Sequence, residues 1–119
     1  MVFDDVKKFM DAGDQFEQDS VKLQELYLKL IGEEYGELFD ALGMKDEVET
    51  FDACLDLIWV IVGFMHSKGW NAESGWKEVD RSNMSKVNPE TGKMDKREDG
   101  KIIKHPLWSP PNLLPFMNK

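Results

Sequence analysis

Carboxylates recur at helical spacing between Glu33 and Asp56, and no other side chains in this sequence are so well placed to do chemistry. E-E-Y-G-E occupies 33–37 and E-T-F-D-A-C-L-D occupies 49–56, with a turn at Gly43-Met44-Lys45-Asp46 between them. Residues three and four apart share one face of a helix. On the first helix, the stripe Leu23, Tyr27, Leu30, Glu34, Glu37, Ala41 begins apolar and should face a core, which carries Glu34 and Glu37 to its border. On the second, Glu49, Asp52, Asp56 and Trp59 share a stripe, and Val48, Phe51, Leu55, Ile58 and Val62 form an apolar partner stripe expected to pack inward. Two like charges about 4 Å apart cost roughly 4 kcal/mol at an effective dielectric near 20. Such a cluster must therefore take up protons or bind a cation. The i,i+3 pairs Glu34/Glu37 and Glu49/Asp52, facing each other across a helical hairpin, make an oxygen-rich cage. All-oxygen cages suit Mg²⁺ or Mn²⁺ rather than zinc or copper, and magnesium commonly completes its shell with water and substrate phosphates. The competing reading is a solvated acidic face, because Glu is a strong helix former. Four acids on core-facing stripes weigh against it.

The elements that must position these acids follow in order. Residues 2–12 read as a short amphipathic helix with Val2, Phe3, Val6 and Phe9/Met10 on one face, stopped at Gly13. Ser20 is a suitable N-cap for a long helix to about Leu42, with Gly43 as its C′ residue. Gly36 inside that helix is unfavourable by about 1 kcal/mol relative to Ala, and is either simply tolerated or marks a close approach of backbone or ligand. Asp46 caps a third helix to about Ser67, closed by Lys68-Gly69. From Leu57 to Met65 that helix is apolar all round, which calls for burial on every side and hence for a subunit interface. Cys54 lies among apolar neighbours and reads as a small core residue. A fourth helix is expected at about 71–83, with Trp70, Ala72, Trp76 and Val79 as its apolar contacts. Beyond it the 3.6-residue period ends. N-P-E-T-G-K at 88–93 and E-D-G-K at 98–101 are turns, with a small hairpin expected around Ile102-Ile103. The proline-rich ending H-P-L-W-S-P-P-N-L-L-P-F should pack as an ordered loop. The expectation is one all-α domain over 1–119, with a helical core over about 2–83 and an irregular tail over about 84–119.

A second group of side chains lies where the fourth helix ends, in D-R-S-N-M-S-K at 80–86. Arg81, Asn83, Ser85 and Lys86 offer donors within two turns, and Lys101 and Lys104 could fold back from the tail. Arg presents a planar fork that matches phosphate, and Lys a point charge. Trp108 offers a flat surface of the kind that stacks on a base. The plainer readings are a favourable pairing of Arg81 and Lys86 with the helix dipole, and a packing role for Trp108.

Composition supports a small cytoplasmic protein. The 119 residues fit one domain. The net charge of −8 argues against general binding to nucleic-acid backbone. That charge is uneven: residues 1–79 carry 18 acids and 7 bases, whereas residues 80–119 carry 5 acids and 8 bases. An acidic front and a basic tail suit a metal cage beside a phosphate clamp. The single cysteine excludes an internal disulfide framework. The acidic N-terminus does not resemble a secretion signal, and the run Leu57–Met65 is about half a membrane span.

E-E-x-x-E, then E-x-x-D on the next helix, then a late R-S-N-x-x-K resemble the MazG-like all-α nucleoside triphosphate pyrophosphohydrolases, particularly the small phage type. D-A-C-L-D-L-I-W-V-I-V-G is similar to that family's buried helix, and D-G-K-I-I-K and P-L-W-S-P-P-N-L extend the likeness over roughly 20–113. The resemblance implies a MazG-like helical bundle built as homodimers or homotetramers. It also implies Mg²⁺-dependent cleavage between the α and β phosphates of a (d)NTP, and dGTP is a substrate of some phage members. It places metal ligands on Glu34, Glu37, Glu49 and Asp52, with Glu33 or Asp56 free to orient or deprotonate the attacking water. Arg81, Lys86 and Lys104 would neutralise the leaving pyrophosphate, Asn83 would contact phosphate or sugar, and Trp108 would meet the base. The alternative is a helical nucleotide-binding or interaction protein without turnover. A di-iron carboxylate bundle needs Glu-x-x-His pairs, and neither His66 nor His105 follows a Glu by three.

Overall fold

The computed structural model describes residues 1–15 and 20–117. These form two compact units, one of residues 1–72 with Met117 and the other of residues 73–116. Among the described residues the first unit holds α1 (Val2–Ala12), α2 (Val21–Gly43) and α3 (Glu47–Ser67). The second is built on α4 (Ala72–Met84), a short antiparallel hairpin of β1 (Val87–Asn88) and β2 (Lys93–Met94), and a 3₁₀ turn at Leu114–Phe116. Four helices with little strand bear out the all-α expectation, and each helix lies within a residue or two of its expected bounds.

Capping chemistry sets those bounds. Ser20 Oγ accepts the Leu23 amide at 3.4 Å, and Asp46 Oδ1 accepts the Glu49 amide at 3.1 Å. Each satisfies an amide that the first turn leaves without a partner. The end of α2 departs from expectation. Gly43 is still helical, and the left-handed residue is Lys45, with φ +57°. The Lys45 amide bonds Leu42 O at 3.2 Å and the Asp46 amide bonds Ala41 O at 3.0 Å, the paired bonds of a Schellman motif. Asp46 thus ends one helix and caps the next, which keeps the α2–α3 connection minimal. Helix α3 ends the same way on Gly69, at φ +75°.

The core of the first unit gathers Val6 and Met10 from α1, Tyr27 from α2, and Val60 and Val62 from α3. His66 Nε2 lies 3.0 Å from Phe3 O and ties α3 to α1. The Tyr27 hydroxyl donates to Gln15 Oε1 at 2.6 Å. Gly63 is where α3 comes closest to this core: a Cβ there would fall 2.6 Å from Tyr27 Cδ1 and 2.8 Å from Cζ. At Gly36 nothing lies within 4 Å, so the close approach falls in α3 and not in α2.

Several inward assignments are overturned. Val48 is 76% exposed and Phe51 68%, and Leu55 and Ile58 are also exposed. The face of α3 turned to α2 is the one carrying Ala53, Val60 and Gly63. Val48, Phe51, Leu55 and Ile58 of the apolar stripe lie on its far side, whereas Val62 is buried in the core as expected. Helix α1, about 16 Å long against about 31 Å for α3 at 1.5 Å per residue, is too short to cover that side. Cys54 is exposed for the same reason. Val2 and Phe9 on α1 and Trp76 on α4 are exposed as well, whereas Ala72 is buried. Of the all-apolar run, Val60, Val62 and Gly63 are buried while Ile58, Trp59 and Ile61 are not.

In the second unit both expected turns form, with Gly92 at φ +72° and Gly100 at φ +89°. The two named strands pair at Val87–Met94, and a second, one-bridge antiparallel hairpin forms where one was expected: Lys96 pairs with Ile102, the Arg97 amide bonds Lys101 O at 2.8 Å and the Ile103 amide bonds Asp95 O at 2.9 Å. Among the described residues no helix is long and apolar enough to cross a membrane.

Candidate functional site

The α2–α3 pair opens at its hairpin end into a cleft of about 250 Å³. Glu34, Glu37 and Asp40 line it from α2, Asp46 from the connection, and Glu49, Asp52 and Asp56 from α3. Seven carboxylates share this cleft, and its lining contains no lysine or arginine. None of the ion pairs among the described residues involves a cleft acid.

The four acids expected to hold metal, Glu34, Glu37, Glu49 and Asp52, all line it, as does Asp56; of the four only Glu34 is half-buried, and Glu37, Glu49 and Asp52 are exposed where core-facing stripes were expected. Glu33 does not. It is exposed and lies outside the lining, because one residue along α2 is a rotation of about 100°. Asp40 and Asp46 were not expected. Asp40 was signalled by its position three residues after Glu37, and Asp46 was read only as a cap.

Electrostatics mark the cleft as under-compensated. Burial, a hydrogen bond with Glu37, and repulsion from Glu37, Asp56 and Asp52 together push the Glu34 carboxyl up to about 7. Burial and the neighbouring Asp52 raise Asp56 as well. Glu34 Oε2 is shut off from solvent without any hydrogen-bond partner. A buried carboxylate oxygen without a donor is costly, and a cation would remove that cost. Still, among the described residues no three Asp, Glu, His or Cys side chains already converge as a closed cage. The acids form an open trough whose donors are all hard oxygens, fit for a divalent cation of the Mg²⁺ or Mn²⁺ type.

The second group of expected site residues lies in the other unit, and the structure alters the picture of Arg81. Its Nε and Nη2 both donate to Glu78 at 2.9 Å, its Nη1 to Ser109 Oγ at 2.9 Å, and its Nη2 also to Pro110 O at 3.1 Å. The guanidinium is committed to protein groups. Asn83 is exposed and Lys86 half-buried. The Lys104 ammonium sits 4.1 Å from the centre of the Trp108 ring.

The Glu78 carboxylate is held down to about 2, first by the hydrogen bonds from Arg81 and then by the Asn112 amide. A carboxyl lowered on folding favours the folded state above its ordinary pKa near 4.5 and loses that contribution as pH falls toward the folded value. The stabilisation is thus expected to be complete above about pH 4.5 and to disappear by about pH 2. Carboxyl-carbon NMR of Glu78 should show the low titration, and Arg81→Ala should return it toward 4.5.

A mostly helical chain whose paired helices direct E-E-x-x-E and E-x-x-D carboxylates into one cleft has the build of the MazG-like all-α pyrophosphohydrolases. Residues 5–83 match the family of phosphoribosyl-ATP pyrophosphohydrolases. The chain belongs to that family, which is part of the MazG-like superfamily. The family consists of pyrophosphohydrolases acting on nucleotide-like substrates. The match covers α2, α3 and all seven cleft acids and reaches Arg81 and Asn83, but stops short of Lys86, Lys104 and Trp108. Comparison with curated proteins returned no match.

Proposed function

We propose that this protein is a Mg²⁺-dependent nucleoside triphosphate pyrophosphohydrolase that cleaves between the α and β phosphates of a (d)NTP, releasing the monophosphate and pyrophosphate. The observation that carries this reading is the orphaned Glu34 Oε2 in an acid cleft without a cationic side chain. Glu34, Glu37, Glu49 and Asp52 are the residues proposed to hold the metal, with Mn²⁺ as a substitute. When bound, a divalent cation would offset phosphate charge and acidify adjacent water.

The chain's own groups do the rest. Asp56, raised in pKa and in the cleft, accepts the proton of the attacking water. Glu33, exposed and off the cleft, is the weaker candidate for that role. Water oxygen bonds to the α phosphorus, the bond from that phosphorus to the α–β bridging oxygen breaks, and pyrophosphate leaves with the electron pair. Lys86 and Lys104 neutralise the departing charge, and Asn83 contacts phosphate or sugar. Trp108 is the residue proposed to meet the base. The purine deoxynucleotide dGTP is the substrate proposed from the likeness to phage enzymes. Phosphoribosyl-ATP is the one that the family's name supplies.

Purified protein with Mg²⁺ and a panel of NTPs, dNTPs and phosphoribosyl-ATP should release pyrophosphate from at least one of them. Release of orthophosphate would refute the bond assignment. The absence of a preformed cage favours one other reading, a nucleotide-binding protein without turnover. Such a protein would bind the same panel and consume none of it.

The active form is proposed to be a homodimer or homotetramer in the cytoplasm, a phage host's if the gene is viral, with no nucleic acid or membrane as partner. Tyr35, Phe39 and Leu42 on α2 and Val48, Phe51, Leu55 and Ile58 on α3 are all exposed. An apolar surface of this extent on a 119-residue chain calls for a cover, and a second copy offers the same surface in return. Phe51→Glu combined with Ile58→Glu is expected to yield monomers by light scattering. If the native chain is itself monomeric at micromolar concentration, the assembly is refuted.

A further inference from the structure

The Arg81 guanidinium makes its contacts to the tail and not to a ligand, and the tail it holds carries the Lys104–Trp108 pair. His105-Pro106-Leu107-Trp108 folds as a turn in which the Trp108 amide bonds His105 O at 2.8 Å and the Leu107 amide bonds His105 Nδ1 at 3.1 Å. Proline favours the second position of such a turn. The turn sets Lys104 and Trp108 on its two sides, with the ammonium 4.1 Å from the ring centre. The segment that follows, Ser109-Pro110-Pro111-Asn112, lacks two backbone donors because proline has no N–H. It cannot join a sheet ladder, so side chains must fix it.

Helix α4 and Ser85, in the turn that follows it, supply them. Ser82 Oγ donates to Ser109 O at 2.8 Å, and Ser85 Oγ accepts the Ser109 amide at 3.2 Å. Glu78 Oε2 accepts the Asn112 amide at 2.7 Å, and Arg81 donates to both Ser109 Oγ and Pro110 O. Glu78 and Arg81 also hold each other. This is a clasp built from one face of α4, continued by Ser85, onto Ser109, Pro110 and Asn112 of the tail.

A cation over an aromatic face keeps its charge and its N–H donors while losing side-chain freedom. Among the described residues Lys104 has no carboxylate partner. We propose that the α4 clasp is a positioning device, and that Glu78, Arg81 and Trp108 together hold the Lys104 ammonium in place for the polyphosphate chain of the nucleotide. The proposal rests on the nucleotide-hydrolysing reading above. It makes Arg81 a positioning residue, and it gives the ring of Trp108 to the ammonium in place of a base.

Binding of inorganic tripolyphosphate to the full-length chain, measured by calorimetry at fixed Mg²⁺, tests it without requiring turnover. Lys104→Ala should weaken binding about tenfold, the worth of one charge-assisted hydrogen bond, and Lys104→Arg should restore most of it. Arg81→Ala should weaken binding comparably, and the double variant should be no worse than Lys104→Ala alone, because both act through one ammonium. In the pyrophosphate assay the same changes should lower kcat/KM, and Lys104→Ala should lower kcat as well as raise KM, because the same ammonium meets the departing pyrophosphate. Multiplying effects, an unaltered affinity in Arg81→Ala, or no binding of tripolyphosphate by the native chain would each overturn the proposal. Failure to release pyrophosphate from any nucleotide, with tripolyphosphate still bound through Lys104, would instead overturn the catalytic reading alone.

Discussion

Glu37→Gln is expected to reduce pyrophosphate release by roughly 10²–10³-fold, the usual loss when one fixed electrostatic group is taken from a reacting centre, while leaving the fold at least as stable. The two halves of this result have one cause. Glu37 lines the cleft beside Glu34 and raises its pKa. Glutamine keeps the shape but removes a charge. The cleft then attracts a divalent cation less strongly, and Glu34 is relieved of part of the repulsion that holds its carboxyl near 7. Carboxyl-carbon NMR should show Glu34 titrating at lower pH in the variant, and thermal melting in the absence of metal should show an unchanged or raised midpoint. A site that stores repulsion until its ligand arrives behaves in this way. Full activity in the variant would remove Glu37 from the site. Lost activity together with a large fall in melting temperature would show that the residue serves the fold instead.

Gly63→Ala is expected to have the largest effect on stability. At an ordinary helix position this change is favourable by about 1 kcal/mol. Here the new methyl would enter the ring of Tyr27, lying 2.6 Å from Cδ1 and 2.8 Å from Cζ. Tyr27 is 2% exposed, packed among Val6, Met10, Val60 and Val62, and tethered through its hydroxyl to Gln15. The ring has nowhere to go, so the helices must separate. Overpacking of this kind costs about 3 kcal/mol, which outweighs the gain in helix propensity and leaves a net loss of about 2 kcal/mol. For a chain of this size that corresponds to a fall of about 10 °C in melting temperature. Tyr27→Leu in the same chain should recover part of the loss, since the two positions are in contact and their effects are not additive. A melting temperature that stays level or rises in Gly63→Ala would mean that this contact does not set the α2–α3 spacing. That spacing also governs the acid cleft, because the same two helices line it.

Much of this molecule was legible in its residue order. Helix bounds were readable because caps are local chemistry: Ser20 and Asp46 meet amides three residues on, and Gly69 relieves the left-handed turn that ends α3. That Glu34, Glu37, Glu49, Asp52 and Asp56 line one cleft was readable because the i,i+3 rule fixes which residues share a face, and a minimal connection fixes that the two faces meet. The rotation of α3 was not. Its circumference is apolar on more than one side, so sequence periodicity could not choose which side meets α2. Val48, Phe51, Leu55 and Ile58 are as apolar as Val60 and Val62, and only packing against Tyr27 through Gly63 decides between them. The partner of Arg81 was equally undetermined. A guanidinium matches a phosphate and a Glu78 carboxylate alike, and which one it meets depends on where residues 109–112 lie, some thirty positions along the chain. Local hydrogen bonding and helical period therefore wrote the elements and their acids into the sequence. Close contact between segments distant in the chain settled which faces are buried and which charges are engaged.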